Sequence, residues 1–266
     1  MNTISFISAN YVARQLDYHM TRGWGQGEAA ANNYFMPLET FPQRFEDLLK
    51  EIKSLGFSAI DLWLAHLNPR WATPQHLAAT QKLLKAYQMR VVALAGGIGS
   101  TPEEVEAICR LAVALEAPVL GGVCPYLDQD RPGTVALLKK YHLKLAHENH
   151  PEKDPQEVLD RIGGSADGTI GAAIDTGWFG TQGCDAAQAI RILGRRIFHV
   201  HLKDVRAAGT HDTCRFGEGV VPVRQCVEAL RQLNYPGAIS IEHEPETFNP
   251  NDDVVASRRL LEGWLQ

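Results

Sequence analysis

Eight short apolar runs alternate along this chain with segments of helical periodicity, and that alternation narrows the fold more than any other feature. The runs are TISFIS (3–8), AIDLWLA (59–65), RVVALAGG (90–97), APVLGGV (117–123), LKLAHEN (143–149), TIGAAIDTG (169–177), IFHVHLKD (197–204) and AISIEHE (238–244). Each is rich in Val, Ile, Leu and Ala, as expected of parallel strands buried under an outer layer of helices. Between them, FPQRFEDLLKEIKSLGF sets Phe45, Leu48, Leu49, Ile52 and Leu55 on one stripe and stops at Gly56. TPQHLAATQKLLKAY and TPEEVEAICRLAVAL each open with Thr then Pro, an N-cap followed by the residue best tolerated at the first helical position. DAAQAIRILGRR opens on Asp185, also a good cap. The expected class is α/β, a single-domain (β/α)8 TIM barrel over residues 1–266, a length suited to one such unit. An open doubly wound sheet is the runner-up, weakened because no GxGxxG follows the first run.

Two stretches depart from a regular alternation. Residues 10–38 form a long connection after the first strand, carrying Gly23, Trp24, Gly25, Gly27 and Tyr34, and are read as an active-site lid. Between strands four and five, PYLDQDRPGTVALLKKYH leaves room for only a short helix over about 132–141, so the outer ring is expected to be incomplete there.

A formal net charge of -5 gives no electrostatic footprint for a polyanion, so no nucleic-acid partner is expected. Five widely spaced cysteines, odd in number and without a CxxC pair, indicate neither a disulfide framework nor a zinc knuckle. With no signal-peptide pattern and no stretch approaching the roughly 18 apolar residues of a span, no membrane association is expected and the reading is cytoplasmic.

Polar residues interrupt four consecutive strands at their carboxyl ends: Glu148, Asp175, His201 and Glu242. A nearly apolar strand admits a polar side chain only where it has a partner or a role. In a barrel these four strand ends are neighbours on the open face where function gathers. Carboxylates with one imidazole suit a borderline or hard divalent cation, Mn²⁺, Mg²⁺, Co²⁺ or Zn²⁺.

The motifs AHENHPE, AIDTGW, HVHLKD and SIEHE resemble those of the sugar phosphate isomerase/epimerase superfamily of xylose isomerase-like TIM barrels, over nearly the whole chain. The resemblance implies one divalent ion, Mn²⁺ foremost, held by Glu148, Asp175, His201 and Glu242. It implies a small carbohydrate substrate, with Glu148 and Glu242 moving protons next to a carbonyl through an enediolate. It also admits a homo-oligomer. Isomerase or epimerase is the first reading, and a lyase or dehydratase of a keto-sugar or keto-polyol the second. A non-catalytic sugar-binding protein and an endonuclease IV-like DNA-repair enzyme are remote.

Substrate contacts are expected from His150, two residues after Glu148, and from Lys203, Arg215 in CRFGEG, and His66 past strand two. Relatives carry a histidine three residues after the strand-six aspartate, whereas here that position is Trp178, read as a stacking or pocket-narrowing residue. Its absence, with no histidine in Leu94-Ala95-Gly96-Gly97, argues against the three-zinc DNA-repair site. GEG at 217–219 is the one glycine pair after strand seven that invites comparison with a phosphate loop.

Overall fold

The computed structural model describes residues 2–164 and 168–266. All eight apolar runs become strands of one closed parallel barrel: β1 (Ile4–Ile7), β2 (Ala59–Trp63), β3 (Arg90–Gly97), β4 (Val119–Val123), β5 (Lys144–Glu148), β6 (Ile170–Asp175), β7 (Ile197–Leu202) and β10 (Ile239–Ile241). Closure comes from β10 pairing with β1, Ile4 against Ile239 and Phe6 against Ile241, which eliminates the open sheet. Two further strands, β8 (Asp204–Val205) and β9 (Thr213–Cys214), make an antiparallel ribbon in the connection after β7.

The outer layer follows from the sequence patterns. In α2 (Phe41–Ser54), Phe41, Phe45, Leu48, Leu49 and Ile52 are buried on one face, and Gly56 just beyond takes a left-handed φ of 89° that suits glycine. Thr73 caps α3 (Pro74–Ala86) and Thr101 caps α4 (Pro102–Ala114), each hydroxyl accepting a backbone N–H three residues on. Asp185 caps α9 (Ala186–Leu193), accepting from the amides of Ala187 and Gln188. Helices α10 (Val223–Gln232) and α11 (Asn251–Leu265) complete the layer near β10.

The short helix expected over 132–141 is present, but the ring is complete there and the long connection is not a bare loop. Between β4 and β5 the ring is filled by α5 (Pro125–Gln129) and α6 (Arg131–Tyr141), because Asp130 accepts the Gly133 amide and starts a second helix at once. Residues 10–38 are not a bare loop: after two 3-10 turns they hold α1 (Trp24–Phe35), with Ala31 and Phe35 buried. This segment reaches across the barrel mouth, where the Met20 amide donates to the Glu246 carbonyl. All five cysteines are free, and among the described residues no helix is long and apolar enough to cross a membrane.

Candidate active site

Because successive residues of a strand face opposite sides, His199 and His201 of β7 both point into the barrel while Val200 and Leu202 pack outward. The same alternation brings Glu148 at the end of β5, Asp175 at the end of β6 and Glu242 just past β10 to the carboxyl-terminal mouth. All four line one cavity there. His201 Nδ1 lies 2.6 Å from Glu148 Oε1 and 3.3 Å from Glu242 Oε2. Asp175 uses Oδ1 to cap the short helix α8 (Thr176–Thr181), accepting from Gly177 N–H at 2.8 Å and Trp178 N–H at 3.0 Å. Its Oδ2 is left to face the pocket, where it accepts from Lys203 Nζ at 3.2 Å.

Lys203, itself buried, also donates to Glu242 Oε1 and Glu244 Oε2, both at 3.0 Å. His150 stands beside the cluster, with Nε2 at 3.3 Å from Asp175 Oδ2 and Nδ1 at 3.8 Å from Glu148 Oε2. Trp178 lines the same cavity; its indole N–H donates to the Glu152 carbonyl and its ring stacks on His211. The cavity encloses about 580 Å³.

Two predicted substrate contacts lie elsewhere. The Arg215 guanidinium is held by Asp253 Oδ1, at 3.0 Å from Nε and 2.6 Å from Nη2, and does not line the cavity. A carboxylate on the first turn of α11 captures it, a pairing invisible from the CRFGEG segment alone. His66 is buried between the rings of Phe35 and Trp63, with Nδ1 at 3.0 Å from Ser8 Oγ, because a 3-10 turn (Leu64–His66) folds it away from the mouth.

Asp61 of β2 escaped the sequence reading. Fully buried, its Oδ2 meets His199 Nε2 at 2.5 Å, His201 Nε2 at 2.9 Å and Ser240 Oγ at 3.2 Å. The signal was present: a carboxylate inside AIDLWLA interrupts an apolar strand just as the other four do. Glu244, two residues after Glu242, and His211 and Glu28 on the rim were missed as well.

The charges are tightly interlocked. Burial opposes ionisation of Glu148 and Asp175, yet the neighbouring cations, His150 and His201 for the first and Lys203 and His150 for the second, hold both carboxyls below their ordinary range. Burial also opposes charge on His201, but Glu242 and Glu148 outweigh it and raise its pKa well above the usual imidazole value. Glu242 goes the other way: burial, only partly offset by Lys203, pushes it up to about 8.

These residues fit a divalent cation. One ligand atom each from Glu148, His201 and Glu242 lies within 4.8 Å of the others, and Glu148, His150 and Asp175 meet the same condition. Glu242 Oε2 is buried without a hydrogen-bond partner, an orphan acceptor of the kind a bound cation satisfies. His201 turns Nδ1 to this cluster and Nε2 to Asp61, the carboxylate–imidazole arrangement that fixes a metal-binding ring.

A family model described as a xylose isomerase-like TIM barrel matches residues 49–264. An uncharacterized protein of Methanocaldococcus jannaschii is 26% identical over 140 residues, half of this chain, and the chain spans 46% of the length of that curated relative. Among solved structures, D-allulose 3-epimerase from Methylomonas sp. is similar with a TM-score of 0.69 at 15% identity, covering 99% of this chain and 98% of that one. The probable 3-DHS dehydratase AsbF from Bacillus anthracis, involved in petrobactin synthesis, is similar with a TM-score of 0.69 at 15% identity, covering 98% and 99%. At such identities the structures speak for the fold alone, and the family match extends over well more than half of the sequence: the chain belongs to the xylose isomerase-like TIM barrel family.

Proposed function

We propose that the protein is a divalent-metal-dependent isomerase or epimerase of a small carbohydrate that acts by moving a proton next to a carbonyl. The observation that carries this reading is a pair of three-residue clusters that share Glu148, one with His201 and Glu242 and one with His150 and Asp175, in a single cavity where Glu242 Oε2 is buried without a hydrogen-bond partner. Glu148, Asp175, His201 and Glu242 would hold the ion, for which Mn²⁺ is the first choice and Mg²⁺, Co²⁺ or Zn²⁺ the others. A bound divalent ion supplies Lewis-acid polarisation of a carbonyl and neutralises charge that develops there.

The remaining work belongs to side chains. Glu242, whose proton affinity burial has raised, takes the proton from the carbon beside the carbonyl, leaving an enediolate. For isomerisation Glu242 gives the same proton back to the neighbouring carbon. For epimerisation Glu148 delivers one to the opposite face as it draws a proton from the His150 ring, whose Nδ1 lies 3.8 Å from its Oε2, and the proton on Glu242 leaves to solvent. Lys203 holds the carboxylates of Asp175, Glu242 and Glu244 in place. The α1 segment, which contributes Gly23, Trp24 and Glu28 to the cavity, serves as its lid. Residues 1–266 act as one unit in a cytoplasmic protein, with homo-oligomerisation a further expectation.

A lyase on the same scaffold is the second reading, favoured by one observation. The partly exposed His150 ring sits over Glu148 and Asp175 with its pKa raised by them against the effect of burial, so it is placed to protonate a departing oxygen. Purified protein with Mn²⁺ in deuterium oxide, offered a panel of ketoses, keto-polyols and 3-keto-glycosides, separates the two. Deuterium in unchanged or epimerised sugar supports the first, and an unsaturated product absorbing in the ultraviolet supports the second. No exchange with any member, together with no bound metal by elemental analysis, would sink both.

A further inference from the structure

The cavity is divided in two. The segments from β5 onward contribute its ionic wall, together with Trp178, whereas the facing wall, from the first half of the chain, presents Ile7, Ala9, Trp63, Ala95 and Val123, with Trp24 at its edge and Glu28 as its one charged side chain. Gly97 leaves this side open: a side chain added there would meet nothing within 4 Å. Trp24 is 39% exposed, packed edge-on against Trp63 at 5.1 Å, and its indole N–H reaches Glu244 Oε1 at 3.3 Å. An exposed tryptophan at the edge of an apolar wall is uncovered surface that a ligand would cover.

The charges are equally one-sided. Six carboxylates line the cavity, Glu28, Glu148, Asp175, Glu242, Glu244 and Glu246, facing Lys203, which already serves three of them, and the imidazoles of His150 and His201, which lie against Glu148, Asp175 and Glu242. Each of these cations thus already has carboxylate partners, and none is left over for an added anion. Backbone amides that could receive a phosphate in the loop after β7 are also taken. In the loop after β7, Asp204 Oδ2 accepts from Gly217 and Gly219 and its Oδ1 from Val205 and Val221, so the GEG turn is filled by the chain's own carboxylate. The first amides of α8 are taken by Asp175.

From this division we infer that the substrate is an uncharged keto-sugar bearing an apolar, ring-sized substituent, a glycoside rather than a free sugar or a sugar phosphate. Its hydroxyls and carbonyl lie along the ionic wall and the substituent lies against Trp24 and Trp63. A free sugar, polar all round, would leave hydroxyls unpaired on the apolar side, and each such loss weakens binding. A phosphate ester would bring a dianion to a cavity already rich in carboxylates. This inference rests on the carbonyl chemistry proposed above and specifies its substrate.

Calorimetric titration of the Mn²⁺-loaded protein with 3-keto-glucose, its phenyl β-glycoside and its 6-phosphate, and with the galactose counterparts, tests it. The phenyl glycoside of at least one series should bind ten or more times tighter than its free sugar, and the phosphate ten or more times weaker. Trp24→Ala, at a partly exposed position, and Gly97→Leu, which fills the open side, should each erase the phenyl preference. Equal affinity for free sugar and glycoside, tighter binding of a phosphate, or silence from both series overturns the inference. The same titration with EDTA separates it from the reaction: a phenyl preference that persists while deuterium exchange is absent leaves the substrate assignment standing and removes the chemistry, and exchange without the preference does the reverse.

Discussion

Asp61 Oδ2 lies 2.9 Å from His201 Nε2, joining β2 to β7 across the barrel interior and leaving the Nδ1 edge of that imidazole turned to Glu148 and Glu242. The pairing fixes which nitrogen a bound cation would meet. Asp61→Asn keeps the shape but loses the charge, and Mn²⁺ affinity should fall by roughly 10–100-fold, the range seen when such supporting carboxylates are removed. The visible spectrum of the Co²⁺-substituted protein should shift as well. An unchanged affinity and spectrum would reduce Asp61 to a packing role.

Glu242→Gln should separate stability from activity. The substitution removes a buried carboxyl whose ionisation is opposed, so the metal-free protein should gain about 1 kcal/mol at pH 8, while turnover drops by roughly 10²–10⁴. Glu148→Gln should lose turnover similarly without that gain, because His150 and His201 favour its charged form. Thermal melts beside deuterium-exchange rates make the comparison; a Gln variant retaining full exchange would remove that carboxylate from the proton path.

Acid should unfold the protein partly through His66. Burial lowers its pKa to about 3, against an ordinary value near 6.5, so the folded state keeps the ring neutral while the unfolded chain takes a proton. Its contribution is therefore complete above about pH 6.5 and is lost progressively as pH falls toward 3, amounting to a few kcal/mol. His66→Gln should flatten the stability–pH curve in that window, read from urea midpoints at successive pH values; an unchanged slope would assign the acid sensitivity elsewhere.

Asp204→Ala should strip four backbone amides of their acceptor and lower stability by about 3 kcal/mol. The vacated turn would then present free N–H groups to solution, and millimolar inorganic phosphate should raise the melting temperature of the variant but not of the parent. Equal phosphate effects on both would show that Asp204 does not fill an anion site.

Much of the molecule was legible in the sequence because strand burial is written in composition: all eight apolar runs became barrel strands, and the four polar residues ending consecutive runs line one cavity. What escaped depended on pairings across the barrel or between distant loops. Arg215 is drawn off by Asp253, thirty-eight residues away, and Asp61 meets His201 from 140 residues away. His66 was misjudged for a local reason, since one 3-10 turn after β2 rotates the chain inward. The helix ring near α6 was underestimated because Asp130 both follows α5 and caps the next helix.

The two walls of the cavity also fall on opposite halves of the chain, with Ile7 to Val123 on one side and Glu148 to Glu246 on the other apart from Glu28. On the function and substrate proposed above, selectivity is carried by the first stretch and proton transfer by the second, with Asp61 of β2 the group that reaches across to His201. A relative recombined between Val123 and Lys144 would therefore have to bring its own carboxylate at the Asp61 position to exchange the group accepted on the sugar and keep the centre.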